Sequence, residues 1–179
     1  MWLRVLTVLL TLGYPFCVYW GGRLHDGYGL FLLLLVILLL RWFSVGYRSE
    51  RVVVILSVLA LLVVTLQWGA SIGLRFYPVV VNLGLLLLFG GSLFASQTVV
   101  ERLARLKEPD LPARGVAYTR KVTLAWCVFF MVNGLISAGT SIWASEEVWL
   151  LYNGLIAYIL IGALMVLEWL IRQRIRRQF

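Results

Sequence analysis

SQTVVERLARLKEPDLPARGVAYTRK (residues 96–121) is the only part of this chain long and polar enough to lie outside a lipid bilayer. Apolar runs of membrane-spanning length flank it on both sides. It therefore divides the chain into an N-terminal group of spans and a C-terminal pair. Working outward from it, the apolar runs fall at residues 78–95, 52–68, 28–43 and 5–20 on one side and at 122–143 and 149–170 on the other.

The composition agrees. Of 179 residues, 62% are apolar and only 13% charged, where soluble domains carry about 25% charged residues. The mean hydropathy is +0.94. A buried core cannot absorb that excess in so short a chain, so the solvent for most of its surface is lipid. The net charge of +8 does not point to nucleic acid, because lysine and arginine sit at the ends of apolar runs. Cys17 and Cys127 lie inside apolar segments without metal or redox spacing, and read as small core residues.

Local signals set the boundaries. Pro15 lies within the first run, which ends in Tyr19, Trp20 and Gly21-Gly22 rather than in a cleavage site. The second run covers only roughly 24 Å at about 1.5 Å per residue, so Arg41 is expected to snorkel to its interface. Residues 69–77 read as a turn carrying Arg75, with Pro78 in the first turn of the fourth helix. Six spans with the N-terminus inside place Arg4, Arg41, Arg48 and Arg51 in the cytoplasm. With them go Arg102, Arg105, Lys107, Arg114, Arg120 and Lys121 of the long loop, and Arg172, Arg174, Arg176 and Arg177 of the tail. Of the 16 lysines and arginines, only Arg23 and Arg75 then fall on the far side. The expected fold is all-α: one integral membrane domain, residues 1–179, a six-transmembrane-helix bundle with both termini cytoplasmic and a cytoplasmic loop at 96–121.

That loop has its own periodicity. Val99, Val100, Leu103 and Leu106 recur at helical spacing, with Glu101, Arg102, Arg105 and Lys107 on the other face. Glu101 and Arg105 are an i,i+4 pair, and Pro109 and Pro112 stop the helix. It reads as an extension of the fourth span at the headgroup boundary beside anionic lipid, or as a docking helix for a cytoplasmic partner.

Polar residues inside spans are the candidates for function, since lipid offers them no partners. Asn133, Ser137, Thr140 and Ser141 form a stripe at i, i+4, i+7 and i+8 along the outer half of the fifth span. Asn82 and Asn153 lie about one turn in from the outer ends of the fourth and sixth. The stripe either bonds helices together or lines an outward-facing cleft for a lipid headgroup or small solute. Small residues favour close packing in either case: Gly84, Gly91 and Ala95 on the fourth span, and Gly134, Ala138 and Ser141 on the fifth. Glu168 sits four residues before Arg172, which suits a local ion pair. His25 and Asp26 are the one acid/base pair in a loop. No catalytic triad, paired carboxylates or metal spacing appears, so no enzyme activity, cofactor or metal is expected.

The text Lys121-x-x-Leu124-Ala125-Trp126-x-Val128-Phe129-Phe130, followed by Gly134 and Leu135, resembles the intracellular septation protein A family of bacterial inner-membrane proteins. Trp143 and Trp149 bracket a short turn as in that family, and Leu24-x-Asp26-x-Tyr28 is similar to its pattern at the start of a span. The chain also resembles uncharacterised bacterial membrane proteins encoded beside aryl-polyene and fatty-acid synthesis genes. The resemblance implies a non-enzymatic inner-membrane protein of envelope biogenesis or membrane homeostasis. Its partners would be membrane lipids and envelope or lipid-synthesis proteins at the cytoplasmic face. The alternative is a lipid or small-solute transporter using the polar cluster, although the symmetric, broken helices of such proteins are not evident.

Overall fold

A computed structural model describes residues 48–176. The runs expected at 5–20 and 28–43, with Asp26, and the tail residue Arg177 lie outside the described residues. Every described element is helical. In chain order they are α1 (Arg48–Trp68), α2 (Ala70–Ser92), the short α3 (Val99–Arg105), α4 (Ala113–Trp143), α5 (Glu146–Leu151), a π-helical turn (Tyr152–Ile156) and α6 (Ala157–Arg176). Among the described residues, three stretches are long and apolar enough to cross a membrane: Ile72–Ser92, Ala113–Trp143 and Glu146–Arg174. In α1 the apolar part, Val58–Trp68, is shorter.

α2 packs against both α1 and α4, while α3 and α5 lie against α4. The burial pattern of α4 states the solvent. Its inward residues are Thr119, Thr123, Cys127, Phe130, Asn133, Ser137 and Ser141, a helical stripe of mostly polar or small side chains. Its outward residues include Leu124, Val128, Met131, Val132, Leu135 and Ile142. A helix in water turns its apolar stripe inward; this one does the reverse, as small and polar residues do at helix interfaces in lipid. Three of the inward hydroxyls bond backbone carbonyls of α4 itself, while Ser137 Oγ has no partner. Thr119 donates to the Val116 carbonyl at 2.8 Å, Thr123 to Thr119 at 2.8 Å, and Ser141 to Ser137 at 2.8 Å.

Four boundaries differ from the sequence reading. The turn expected over residues 69–77 is Gly69 alone, with φ 90° and ψ 164°, a conformation for which only glycine lacks a steric penalty. The helix resumes at Ala70 and Pro78 lies inside it rather than in its first turn. Arg48, placed in a loop by the sequence, begins α1. Finally, α4 starts at Ala113 with Pro112 before it, so its first two turns occupy what was read as loop. The last span likewise gains a turn. Ser145 accepts the Val148 N–H, and Glu146 and Glu147 fill the first turn of α5, where acidic charge complements the helix dipole.

The tight hairpin of α1 and α2 depends on Gly73, where an added Cβ would collide with Thr65 Oγ1 and crowd the Thr65 backbone. Gly73→Leu is expected to push the two helices apart and destabilise the bundle by about 1–3 kcal/mol or more. Gly90→Leu, where a Cβ meets nothing within 4 Å, should be near neutral. Reversible unfolding in mixed micelles distinguishes the two, and equal effects would refute the close approach.

Candidate functional site

Two groups of side chains stand out, one at each end of the bundle. At the Gly69 end, helices that share no local sequence are joined by one hydrogen-bonded layer. Asn133 Nδ2 donates to Asn82 Oδ1 at 3.0 Å, and Asn82 Nδ2 donates to the Pro78 carbonyl at 2.8 Å. Tyr152 O–H donates to Asn133 Oδ1 at 2.9 Å, and Asn153 Nδ2 to Thr140 Oγ1 at 3.1 Å. Tyr152 and Asn153 are consecutive, yet both reach α4. The π turn that carries them is wider than an α turn and brings successive side chains closer in angle. Gly134 permits this arrangement, because an ideal Cβ there would lie 3.1 Å from Asn82 Cβ.

Arg75, expected in a turn between spans, lies within α2 and completes the layer. Its Nη2 donates to the carbonyls of Ala144 (2.8 Å) and Thr140 (3.3 Å), at the C-terminal end of α4 where the helix dipole is negative. Its own carbonyl accepts the Trp149 indole N–H at 3.1 Å and lies 2.9 Å from the Ser141 hydroxyl, whose one proton it shares with the Ser137 carbonyl. Pro78, three residues on, supplies no N–H and crowds the carbonyls of the preceding turn. The carbonyl that Pro78 leaves without its helical N–H is that of Leu74, four residues back; the side chains of α4 and α5 bond the next carbonyl, that of Arg75.

The structure thus brings together all six polar candidates, Asn82, Asn133, Ser137, Thr140, Ser141 and Asn153, all buried but Thr140, which is half-buried. Arg75, Tyr152 and the donor role of Trp149 were missed. The one available signal was the pairing of an intramembrane arginine with a proline three residues later. Within this layer, Ser137 Oγ, Asn153 Oδ1 and Arg75 Nε are buried without a hydrogen-bond partner.

The residues that carry the family resemblance separate. Trp126, Phe129 and Phe130 form an aromatic cluster with Phe89 of α2. Phe89 and Phe130 meet edge-on with centroids 5.2 Å apart, and Trp126 lies 5.4 Å from Phe130. Trp149 is buried against Arg75, whereas Trp143 is exposed.

At the opposite end, α3 is pinned between α2 and α4. Ser92 Oγ donates to the Phe89 carbonyl (2.7 Å) and accepts the Val99 N–H (3.1 Å). Thr98 caps α3 by accepting the Glu101 N–H at 3.2 Å. Arg105 donates through Nε and Nη2, both at 2.9 Å, to Glu101 Oε1, and through Nη1 to the Pro109 carbonyl at 2.8 Å. The faces of α3 differ from the sequence expectation. Val100 and Glu101 are buried, Glu101 at 4% exposure, while Leu103 and Leu106 are 59% and 79% exposed. The i,i+4 partner explains the change: with Arg105 on its carboxylate, Glu101 can turn inward.

The antiparallel order of α4 and α6 gathers the basic candidates Arg102, Arg105, Lys107, Arg114, Arg120, Lys121, Arg172 and Arg174 at this same end, and the backbone of Arg176 ends there. Tyr118 O–H ties the two helices by donating to Glu168 Oε1 and its carbonyl, both at 3.3 Å. Glu168 Oε1 also accepts from Arg172 Nε at 2.8 Å and Nη2 at 2.7 Å. No protein-family model, curated protein or solved structure matches the chain.

Proposed function

We propose that the chain is a six-span, non-enzymatic protein of the bacterial inner membrane, with both termini cytoplasmic. In this reading it serves cell-envelope biogenesis or membrane homeostasis through lipid or protein partners at its basic end. One observation carries the reading: basic side chains of the α3 region, the start of α4 and the end of α6 collect at a single end of a bundle whose outward faces are apolar. Such an end faces the cytoplasm under the positive-inside bias and meets anionic headgroups or a cytoplasmic synthesis enzyme. The resemblance of residues 121–130 to the septation protein A family points to the same process.

Reporter fusions after Gly115 and Phe179, with a third after Arg48, are expected to read cytoplasmic. A periplasmic signal at any of them rejects the topology. Loss of the protein is expected to sensitise the envelope to detergent, and the variant Lys107→Gln/Arg120→Gln/Lys121→Gln should fail to restore resistance while inserting normally. Full rescue by that variant would remove the basic end from the function.

A second reading, a transporter of a lipid or small solute through the polar layer, is favoured by the unpartnered Ser137 Oγ and Asn153 Oδ1. Buried polar atoms of this kind are costly in lipid unless something polar meets them.

A further inference from the structure

We infer that α3 and the turn before it form an in-plane anchor for acidic phospholipid, in which Phe94, Leu103 and Leu106 enter the boundary between headgroups and acyl chains while Lys107, Arg120 and Lys121 meet the phosphates. This rests on the reading of the α3 end as the lipid-facing basic end, and names its partner.

The depth follows from register. α2 and α4 run antiparallel, and two contacts fix their alignment: Asn82 with Asn133, and Phe89 with Trp126. Continuing that register to the end of α2 puts Ser92 level with Thr123, so Phe94, in the turn that follows, lies close to the level of Lys121. Lys121 is the last basic residue before an apolar stretch, residues 122–143, which covers roughly 33 Å at about 1.5 Å per residue. The hydrocarbon core is about 30 Å thick. Phe94 therefore sits at its edge, and α3, which follows it and packs on the first turns of α4, lies at headgroup depth.

The rotation of α3 is also fixed. Val100 and Glu101 face α4, held by the Thr98 cap and the Arg105 pair. At about 100° per residue, Leu106, the C-cap of α3, lies nearly opposite the Val100–Glu101 direction and Leu103 lies to one side of it. Both are exposed, and Phe94, in the turn that precedes α3, is 93% exposed. Large apolar side chains facing water would each forgo about 1.5–3 kcal/mol of burial. A protein partner could cover them as well as lipid could. Two observations favour lipid. The patch is at headgroup level, where lipid is already present and no association entropy is lost. Lys107, Arg120 and Lys121 are exposed on the same end, each able to gain about 1 kcal/mol near an anionic surface.

The test uses the full chain in nanodiscs of phosphatidylcholine, with or without phosphatidylglycerol, and with Cys17 and Cys127 replaced by alanine. An environment-sensitive fluorophore is attached at Leu103→Cys, Leu106→Cys or, as a solvent reference, Asp110→Cys. With phosphatidylglycerol present, quenching by aqueous iodide at 103 and 106 should be at least about threefold weaker than at 110, and spin-labelled lipid should quench there instead. Lys107→Gln/Arg120→Gln/Lys121→Gln should remove the part of this protection that depends on phosphatidylglycerol. Iodide access at 103 and 106 equal to that at 110 in both discs would overturn the inference and leave the face to a protein partner. Protection unchanged by phosphatidylglycerol would overturn the role of the basic residues. Nanodiscs have no sidedness, so these outcomes are independent of the reporter fusions. A failed anchor leaves the six-span topology standing, and a failed topology leaves the lipid contact measurable.

Discussion

Arg75→Leu is expected to weaken assembly of the bundle by about 2–4 kcal/mol while making insertion of α2 easier. Assembly suffers because Nη2 supplies two charge-assisted hydrogen bonds, to Ala144 and Thr140, and a bond of that kind contributes about 1.5–3 kcal/mol. Their removal also takes a positive charge from the C-terminal end of α4. Insertion gains because an arginine at the centre of a span costs about 2.5–3.5 kcal/mol, and less near an end; Arg75 lies within two turns of the start of α2. The two effects have opposite signs in two different assays. Reversible unfolding in mixed micelles, where helices persist in the unfolded state, reads the first, and glycosylation-mapped insertion of the isolated α2 segment reads the second. Arg75→Lys keeps the charge but offers a single ammonium on a shorter reach, and should recover part of the stability. Unchanged unfolding of Arg75→Leu would show that the carbonyls of Thr140 and Ala144 have no need of the guanidinium.

Much of the fold was legible because lipid simplifies the reading. Long apolar runs must be helices where water is absent, and the runs at 122–143 and 149–170 fall within α4 and within the α5–α6 rod. The pairs Glu101–Arg105 and Glu168–Arg172 were legible for a local reason, since residues four apart share a helix face. The stripe Asn133, Ser137, Thr140 and Ser141 was legible for the same reason, and it turns inward almost entirely.

What escaped depended on residues far apart in the chain. Pro78 looked like a helix start, because local rules count the N–H that proline lacks and the carbonyls it crowds. The groups that bond the Arg75 carbonyl, Ser141 and Trp149, lie 66 and 74 residues away and leave no trace around position 78. The rotation of α3 escaped for a different reason. Sorting apolar against charged residues assumes water outside and apolar packing inside. At a membrane surface both assumptions fail, so buried Glu101 and exposed Leu103 exchange their expected places.

Asn133→Leu carries the other large effect, and it separates the two roles left to the polar layer. The side chain holds Asn82 on α2 and Tyr152 on the last span at once. Its loss strands the Asn82 carbonyl oxygen and the Tyr152 hydroxyl in a buried, water-poor site. A hydrogen bond between membrane helices contributes only about 0.6 kcal/mol on average, but a stranded buried group costs about 1–3 kcal/mol, so a total near 2–4 kcal/mol is expected. Replacing Asn82 by leucine as well removes one stranded group, and the double variant should recover more than about 1 kcal/mol relative to the sum of the single changes. Strict additivity would mean that the two amides do not hold each other. Tyr152→Phe strands only Asn133 Oδ1 and should cost about 1 kcal/mol. If the layer serves only to bond helices, envelope function in these variants will follow stability, and Tyr152→Phe will be nearly wild type. If the layer receives a polar solute or headgroup, Asn133→Leu and Tyr152→Phe will abolish function in protein that remains folded and inserted.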